Sequence, residues 1–483
     1  MTTIEWLDTS IVTAAKTHLQ GVAAAVTSRY PSPERPLARP PAGSGLEPVM
    51  GTYGFPVLGH VVSTLVDPLA FARERYDRYG PVWWAGGVGF RVVSAMGPEA
   101  LETVWINRDK AFSSERGWAP VIGPFFHRGI MLLDFEEHRD HRRIMQHAFT
   151  RSALEGYLDL MHPGVERTVS DWAPAQGFPF YTAVKKLLLD LAAEVFVGAT
   201  LGDEADQLAA DFHDTVCGGQ AIVRADVPGG TWARGLRARE RLERYFAAQL
   251  PARRAGDGTD LFSMLCRSRS DDGAVFSNDD IVNHMIFLLM AAHDTSAIAV
   301  SMMVYELGRN SVWQDALRDE AQRTPLEDST LGGLERYSLL DAAFKETLRM
   351  YAPAGTLFRQ TVKDTEIAGH FIPRKTQVAV NVYASMRLAD WWPNPDLFDP
   401  GRFVDGGADA SAIHRYAFAP FGGGAHKCIG QQFADMSVKT IMHRLLRQFE
   451  WSVPDDYRPR MVWGTGPTPA DGLPIRLRAI PAR

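Results

Sequence analysis

Of the three cysteines in this 483-residue chain, Cys428 sits in FGGGAHKCIG, Phe421 to Gly430, which runs straight into the apolar-periodic stretch QQFADMSVKTIMHRLLRQF. A cysteine at the mouth of a helix has backbone N–H groups aimed at its sulfur, which favours the thiolate and therefore metal-ligating or nucleophilic chemistry. The competing reading is a small buried hydrophobe among turn-forming glycines, the commoner fate of a lone cysteine. A second polar group, His293, Asp294 and Thr295, interrupts the longest apolar stretch, IVNHMIFLLMAAHDTSAIAVSMMVYELG. Glu346 and Arg349, in ETLR, stand three apart on one helical face. By itself that spacing reads as a solvated pair.

These residues must be positioned by a large core. The chain is 46% apolar and 22% charged, a globular composition. A formal charge of −6 gives no basic balance, so nucleic acid is not an expected partner. Cys217, Cys266 and Cys428 are too few and too scattered for a disulfide framework, which implies a reducing, cytoplasmic setting. No signal peptide is read at the N-terminus. The long apolar stretch is read as the buried central helix of a soluble protein and not as a membrane span, because an aspartate mid-span would cost roughly 2.5–3.5 kcal/mol.

Residues 1–44 are read as an extension: a weakly amphipathic helix carrying Ile4, Leu7, Ile11, Ala15, Leu19, Val22 and Val26, then the proline-rich linker PSPERPLARPPAG. The apolar face is expected to dock on the body or fray, with peripheral membrane contact through residues 1–40 as the alternative. Residues 45–483 are expected to form one domain, mainly α with a smaller β component. PVWWAGGVGFRVVSA predicts two strands around a glycine turn, helical patterns fill about 134–350, and SNDD at Ser277–Asp280 predicts the start of the central helix. After about 350 come short β-rich pieces, the cysteine loop, one more helix and a last strand in GLPIRLRAI.

Phe421, Gly424, His426, Cys428 and Gly430 match Phe-x-x-Gly-x-(Arg/His)-x-Cys-x-Gly, and on that signature the chain resembles the cytochromes P-450, the haem-thiolate monooxygenases. Further stretches match in order, so the resemblance spans roughly residues 50–483. It implies that family's fold, a triangular helical body with a long central helix and small β-sheets, and haem b with Cys428 as axial ligand. Gly424 and Gly430 would let backbone approach the porphyrin, and Phe421 would shield the sulfur. By the same resemblance Glu346 and Arg349, with Arg402 of FDPGRF, form a buried ion-pair network. AAHDTSA supplies Asp294 and Thr295 as the acid–alcohol pair for proton delivery. His138, Arg142, Arg359 and His426 are expected at the haem propionates. Arg139, Arg143 and Lys427 are expected to face solvent or an electron donor.

Such chemistry splits dioxygen with two electrons and two protons and returns a hydroxyl to an unactivated C–H; the cofactor performs the bond breaking. No flavin- or dinucleotide-binding segment is evident, so electrons are expected from a separate ferredoxin with its reductase. Pocket positions by analogy include Ala291, Ala292, Pro353 and Leu357, mainly apolar, which implies a lipophilic substrate: a steroid, terpenoid or fatty-acid-like molecule. Some segments resemble the sterol-, terpenoid- and retinoid-oxidising branch. A sterol 14α-demethylase-like enzyme is the alternative, although those enzymes usually carry histidine where this chain has Asp294. Two other readings, a haem sensor or carrier without oxygenase activity and a peroxide-driven oxidase, have no use for the acid–threonine pair.

Overall fold

The run PVWWAGG–FRVVSA folds as expected into strands Val82–Gly87 and Phe90–Ala95, paired antiparallel around the turn at Val88 and Gly89. Both turn residues have positive φ, 47° and 82°, as a tight two-residue hairpin requires, and glycine meets the second at no steric cost. The computed structural model describes residues 30–198, 202–221, 223–323, 330–404, 414–463 and 466–481. The amphipathic helix expected in residues 1–28 lies outside them.

The chain divides into two compact units. In the first, which ends at Ser113 and takes in Thr356–Pro393 and His414–Ala419, a seven-stranded sheet has the order Arg35–Pro36, Met50–Thr52, Val82–Gly87, Phe90–Ala95, Gln377–Asn381, Thr356–Thr361, Phe112–Ser113. The proline-rich linker is corrected here. Arg35–Pro36 pairs antiparallel with Met50–Thr52, and Trp84 Nε1 donates to the Arg35 carbonyl at 2.9 Å. An edge strand tolerates proline because its outer side needs no N–H.

The second unit, from Ser114 to Gly355 with the stretches that begin at Asn394 and Pro420, is built on helices. Its centre is Asn278–Arg309, 32 residues long, started as predicted by Ser277, whose hydroxyl accepts from Asp280 N at 3.1 Å. Met285, Ile286, Ala297, Ile298, Met302 and Met303 are fully buried along it. Helices Phe180–Ala192, Thr231–Ala255, Ser338–Met350 and Gln431–Gln448 pack against it, which explains why it is apolar nearly all round. Among the described residues it is the one helix long and apolar enough to cross a membrane, and 71% of that stretch is buried inside the protein.

Among the described residues three buried histidines have their proton affinity strongly lowered, His284 despite the nearby Asp280 carboxylate. Burial, aided by Arg75, pushes His60 down to about 4. Burial and the His141 ring, 2.9 Å away, push His284 down to about 3, and burial with the Arg447 charge pushes His443 down to about 4. Each binds its proton near 6.5 when unfolded and only near 3 to 4 when folded, so the unfolded chain takes up more protons in between. Their stabilisation is whole above pH 6.5 and is lost as the pH falls. With all three titrating, stability should drop by about 4 kcal/mol per pH unit below 6. Denaturant midpoints measured at pH 7, 6 and 5 check this; a flat series would mean the folded protein already accepts these protons.

Candidate active site

The cysteine loop is closed by its own backbone. Cys428 N donates to the Phe421 carbonyl at 2.9 Å and Lys427 N to the Gly424 carbonyl at 3.2 Å. Gly422 and Gly424 take φ of 69° and 63°, so glycine is needed there for conformation. Gly430 does not need it: φ is −88°, and a Cβ would sit 4.0 Å from Cys428 Sγ, on the sulfur's own side. Helix Gln431–Gln448 starts immediately afterwards, and Gly430 N–H points at the sulfur.

Cys428 is accessible, yet the protein packed around it pushes its thiol pKa up. Gly430 N–H and the charges of Arg142 and Lys427 pull the pKa down but do not win. Desolvation thus opposes the thiolate and the N–H group and nearby cations favour it. A cation bonded to the sulfur would reverse the balance.

Beside the sulfur stands helix Phe135–Met145, which brings His138 and Arg142 to one face four residues apart. Burial lowers the Arg142 pKa, with Cys428 acting against it. Among the described residues no hydrogen bond or ion pair reaches this half-buried guanidinium. The buried His138 ring lies 3.8 Å from the ring of His426, tilted by 32°, and so ties the helix to the cysteine loop. His138, Arg139, Arg142, Arg143, Gly424 and Ala425 line a cavity of about 310 Å³. Arg139 is exposed beside Asp140, and Arg143 reaches Asp140 at 3.2 Å and Asp272 at 3.4 Å. Lys427 is exposed.

On the central helix Thr295 Oγ1 donates to the Ala291 carbonyl at 2.7 Å, the back-bond open to any helical threonine. Asp294 Oδ1 lies 3.1 Å from Lys185 Nζ of helix Phe180–Ala192; their side chains are 12% and 30% exposed. Lys185 connects an interior carboxylate with solvent and belonged to no motif, since the two positions are far apart in the chain. Ala291 and Ala292 are half-buried on the same helix, and Pro353 is buried.

Glu346 and Arg349, both 0% exposed, make a two-point pair: Nε to Oε2 at 2.7 Å and Nη2 to Oε1 at 2.8 Å. Arg402 Nε comes within 3.4 Å of Glu346 Oε1. The network extends into backbone that no motif names. Arg349 donates to the Pro395 and Leu397 carbonyls, and Asp399 N donates to Glu346 Oε1 at 2.9 Å. Arg359 and Leu357 stand on strand Thr356–Thr361 of the first unit; Arg359 is buried and its Nη1 donates to the Phe358 carbonyl at 2.7 Å.

A family model described as Cytochrome P450 matches residues 49–227 and 237–467. The chain belongs to the cytochrome P450 family. It is 46% identical over 453 residues to the Mycobacterium tuberculosis protein named "Putative cytochrome P450 136", covering 92% of each chain. It is 25% identical over 435 residues to "Lanosterol 14-alpha demethylase" of Rattus norvegicus, covering 88% of this chain and 86% of that one. The solved structure titled "Retinoic acid bound cyanobacterial CYP120A1" matches with a TM-score of 0.79 at 26% identity, over 89% of this chain and 98% of that one. The fold is thus that of a P450, and the protein is a P450 monooxygenase, which uses dioxygen, a substrate and an electron donor. P450s bind haem b through a cysteine thiolate. The residues present fit that group: an accessible sulfur that receives a backbone N–H, and near it a guanidinium that no hydrogen bond or ion pair reaches among the described residues, suited to a carboxylate.

Proposed function

We propose that this P450 hydroxylates a lipophilic small molecule, of steroid, terpenoid or fatty-acid type, using electrons from a separate ferredoxin and its reductase, with Cys428 as the residue whose thiolate would hold haem b. The observation that carries the reading is that Cys428 lies within charge interaction of Arg142, whose guanidinium no hydrogen bond or ion pair reaches among the described residues. His138, Arg142, Arg359 and His426 would hold the propionates. When bound, haem held by a thiolate supplies dioxygen activation. Phe421 and the glycines of the loop would shield the sulfur from water once haem is bound.

The chain's own contribution is proton handling. Thr295 parks its proton on the Ala291 carbonyl, which leaves the oxygen's lone pairs to accept from a water. Asp294 takes protons from solvent by way of Lys185 and passes them inward. A carrier or sensor would have no use for this pair. Thr295→Ala should keep haem and substrate binding yet divert most electrons into hydrogen peroxide, read as peroxide released per NAD(P)H consumed. Fully coupled turnover in that variant would remove Thr295 from the mechanism.

The lipophilic substrate class is supported by the half-buried Ala291 and Ala292 and by Pro353 and Leu357. It is also supported by relatives whose names state lanosterol and retinoic acid. The free thiols Cys217, Cys266 and Cys428 suit a cytoplasmic enzyme. Spectral titration against steroids, terpenoids and fatty acids, followed by product analysis with ferredoxin, reductase and dioxygen, tests the proposal. Turnover with hydrogen peroxide alone, or no product with any donor, would replace it.

A further inference from the structure

Helix Pro68–Tyr79 carries a cation that the monooxygenase reading does not use. Arg75 is 7% exposed. Its Nη1 donates to Thr52 Oγ1 at 2.9 Å, its Nη2 lies 3.4 Å from His60 Nε2, and Thr52 Oγ1 and His60 Nε2 are 2.8 Å apart. The Phe71 and Tyr79 rings flank the guanidinium, with centroids at 5.2 and 5.8 Å. None of these partners is an anion. Among the described residues the nearest carboxylate is Glu74, 3.9 Å from Nε on a side chain that is 59% exposed, and Nε itself is buried without a hydrogen-bond acceptor.

A guanidinium removed from water without a hydrogen-bonded counter-ion is costly, and an anion brought beside it would offset that cost. Arg75 lines a cavity of about 630 Å³ in the first unit. Tyr30, Ser32, Ser63 and Arg78 add polar groups to its wall, and Pro31, Val66 and Phe71 add apolar ones. Two carboxylates also line it, and neither hydrogen-bonds Arg75. Asp67 caps its helix by accepting from Ala70 N at 2.9 Å, and Glu74 leans to solvent. Arg78 is paired with Glu34.

We infer that this cavity is an oxyanion site, taking a carboxylate or phosphate carried on an apolar body, with Arg75 as the charge partner and the wall hydroxyls as donors. The cavity is too large for a bare inorganic ion, and its mixed wall suits an amphipathic acid. The two sources of that chemistry are a free organic acid or phosphate ester and a lipid headgroup.

The test uses the full chain. Octanoate, compared with chloride at equal ionic strength, should raise the melting temperature of the wild type by about 2 °C. Arg75→Gln should abolish that rise, and Arg39→Gln, at an exposed position, should keep it. Ser63→Glu, which supplies a carboxylate from the cavity wall, should raise the melting temperature by itself and remove the response to octanoate. It decides the matter if Arg75→Gln does not fold. Binding to phosphatidylglycerol vesicles over phosphatidylcholine vesicles, lost in Ser63→Glu, assigns the anion to a lipid; no vesicle binding alongside an octanoate response assigns it to a free solute. The site is refuted if octanoate leaves the wild type unmoved, or if its effect persists in Ser63→Glu.

Discussion

Cys428→Ala loses the strongly red-shifted Soret band that a thiolate-ligated haem gives in its reduced carbon monoxide complex, while Cys217→Ala and Cys266→Ala keep it. Cys266 is buried and Cys217 is half-buried on a helix beside His213, 3.4 Å from its ring nitrogen, so each has an ordinary structural explanation. Cys428 is accessible, with a backbone N–H on its sulfur and the Arg142 charge nearby. Removing it leaves Arg142 and the loop intact, so haem is expected to bind weakly and without the thiolate signature. The effect on turnover is complete, because the ligand's electron donation has no substitute in the loop. Retention of the red-shifted band in Cys428→Ala would reassign the ligand.

Glu346→Ala destabilises the fold by about 3–5 kcal/mol, a large part of the 5–15 kcal/mol that a folded protein commands. The loss exceeds that of an exposed pair because neither group has water to fall back on. Without Glu346, Arg349 keeps only the Pro395 and Leu397 carbonyls, Asp399 N loses its acceptor, and Arg402 loses its nearest anion. The stretch 394–404, which these bonds hold against helix Ser338–Met350, should loosen first. Urea midpoints and haem content per chain read the outcome. Glu346→Gln combined with Arg349→Met, which strands no charge, should cost less than Glu346→Ala alone. An unchanged midpoint in Glu346→Ala would show that the pair is not what secures this stretch.

How much of this was legible beforehand follows sequence distance. The cysteine loop, the Glu346–Arg349 spacing, the Ser277 cap and the hairpin at Val88–Gly89 are contacts within a few residues, and their chemistry is written in order along the chain. The partner of Asp294 was not legible. Lys185 is one of two adjacent lysines on an amphipathic helix, and only packing selects which of them turns toward the central helix. Asp399 N and the two carbonyls around Arg349 carry no side-chain signature at all.

The sequence by itself determined the family, the order of elements and the residues that meet through short loops or one helical turn, because geometry at that range is set by backbone periodicity. Tertiary structure alone decided how much water each group loses, and hence the signs of the Cys428 and Arg142 shifts, the neutral state of His60, His284 and His443, and the burial of Arg75 Nε without an acceptor. Desolvation sums over everything packed around an atom, most of it remote in the chain, so it exists only once the whole unit has closed.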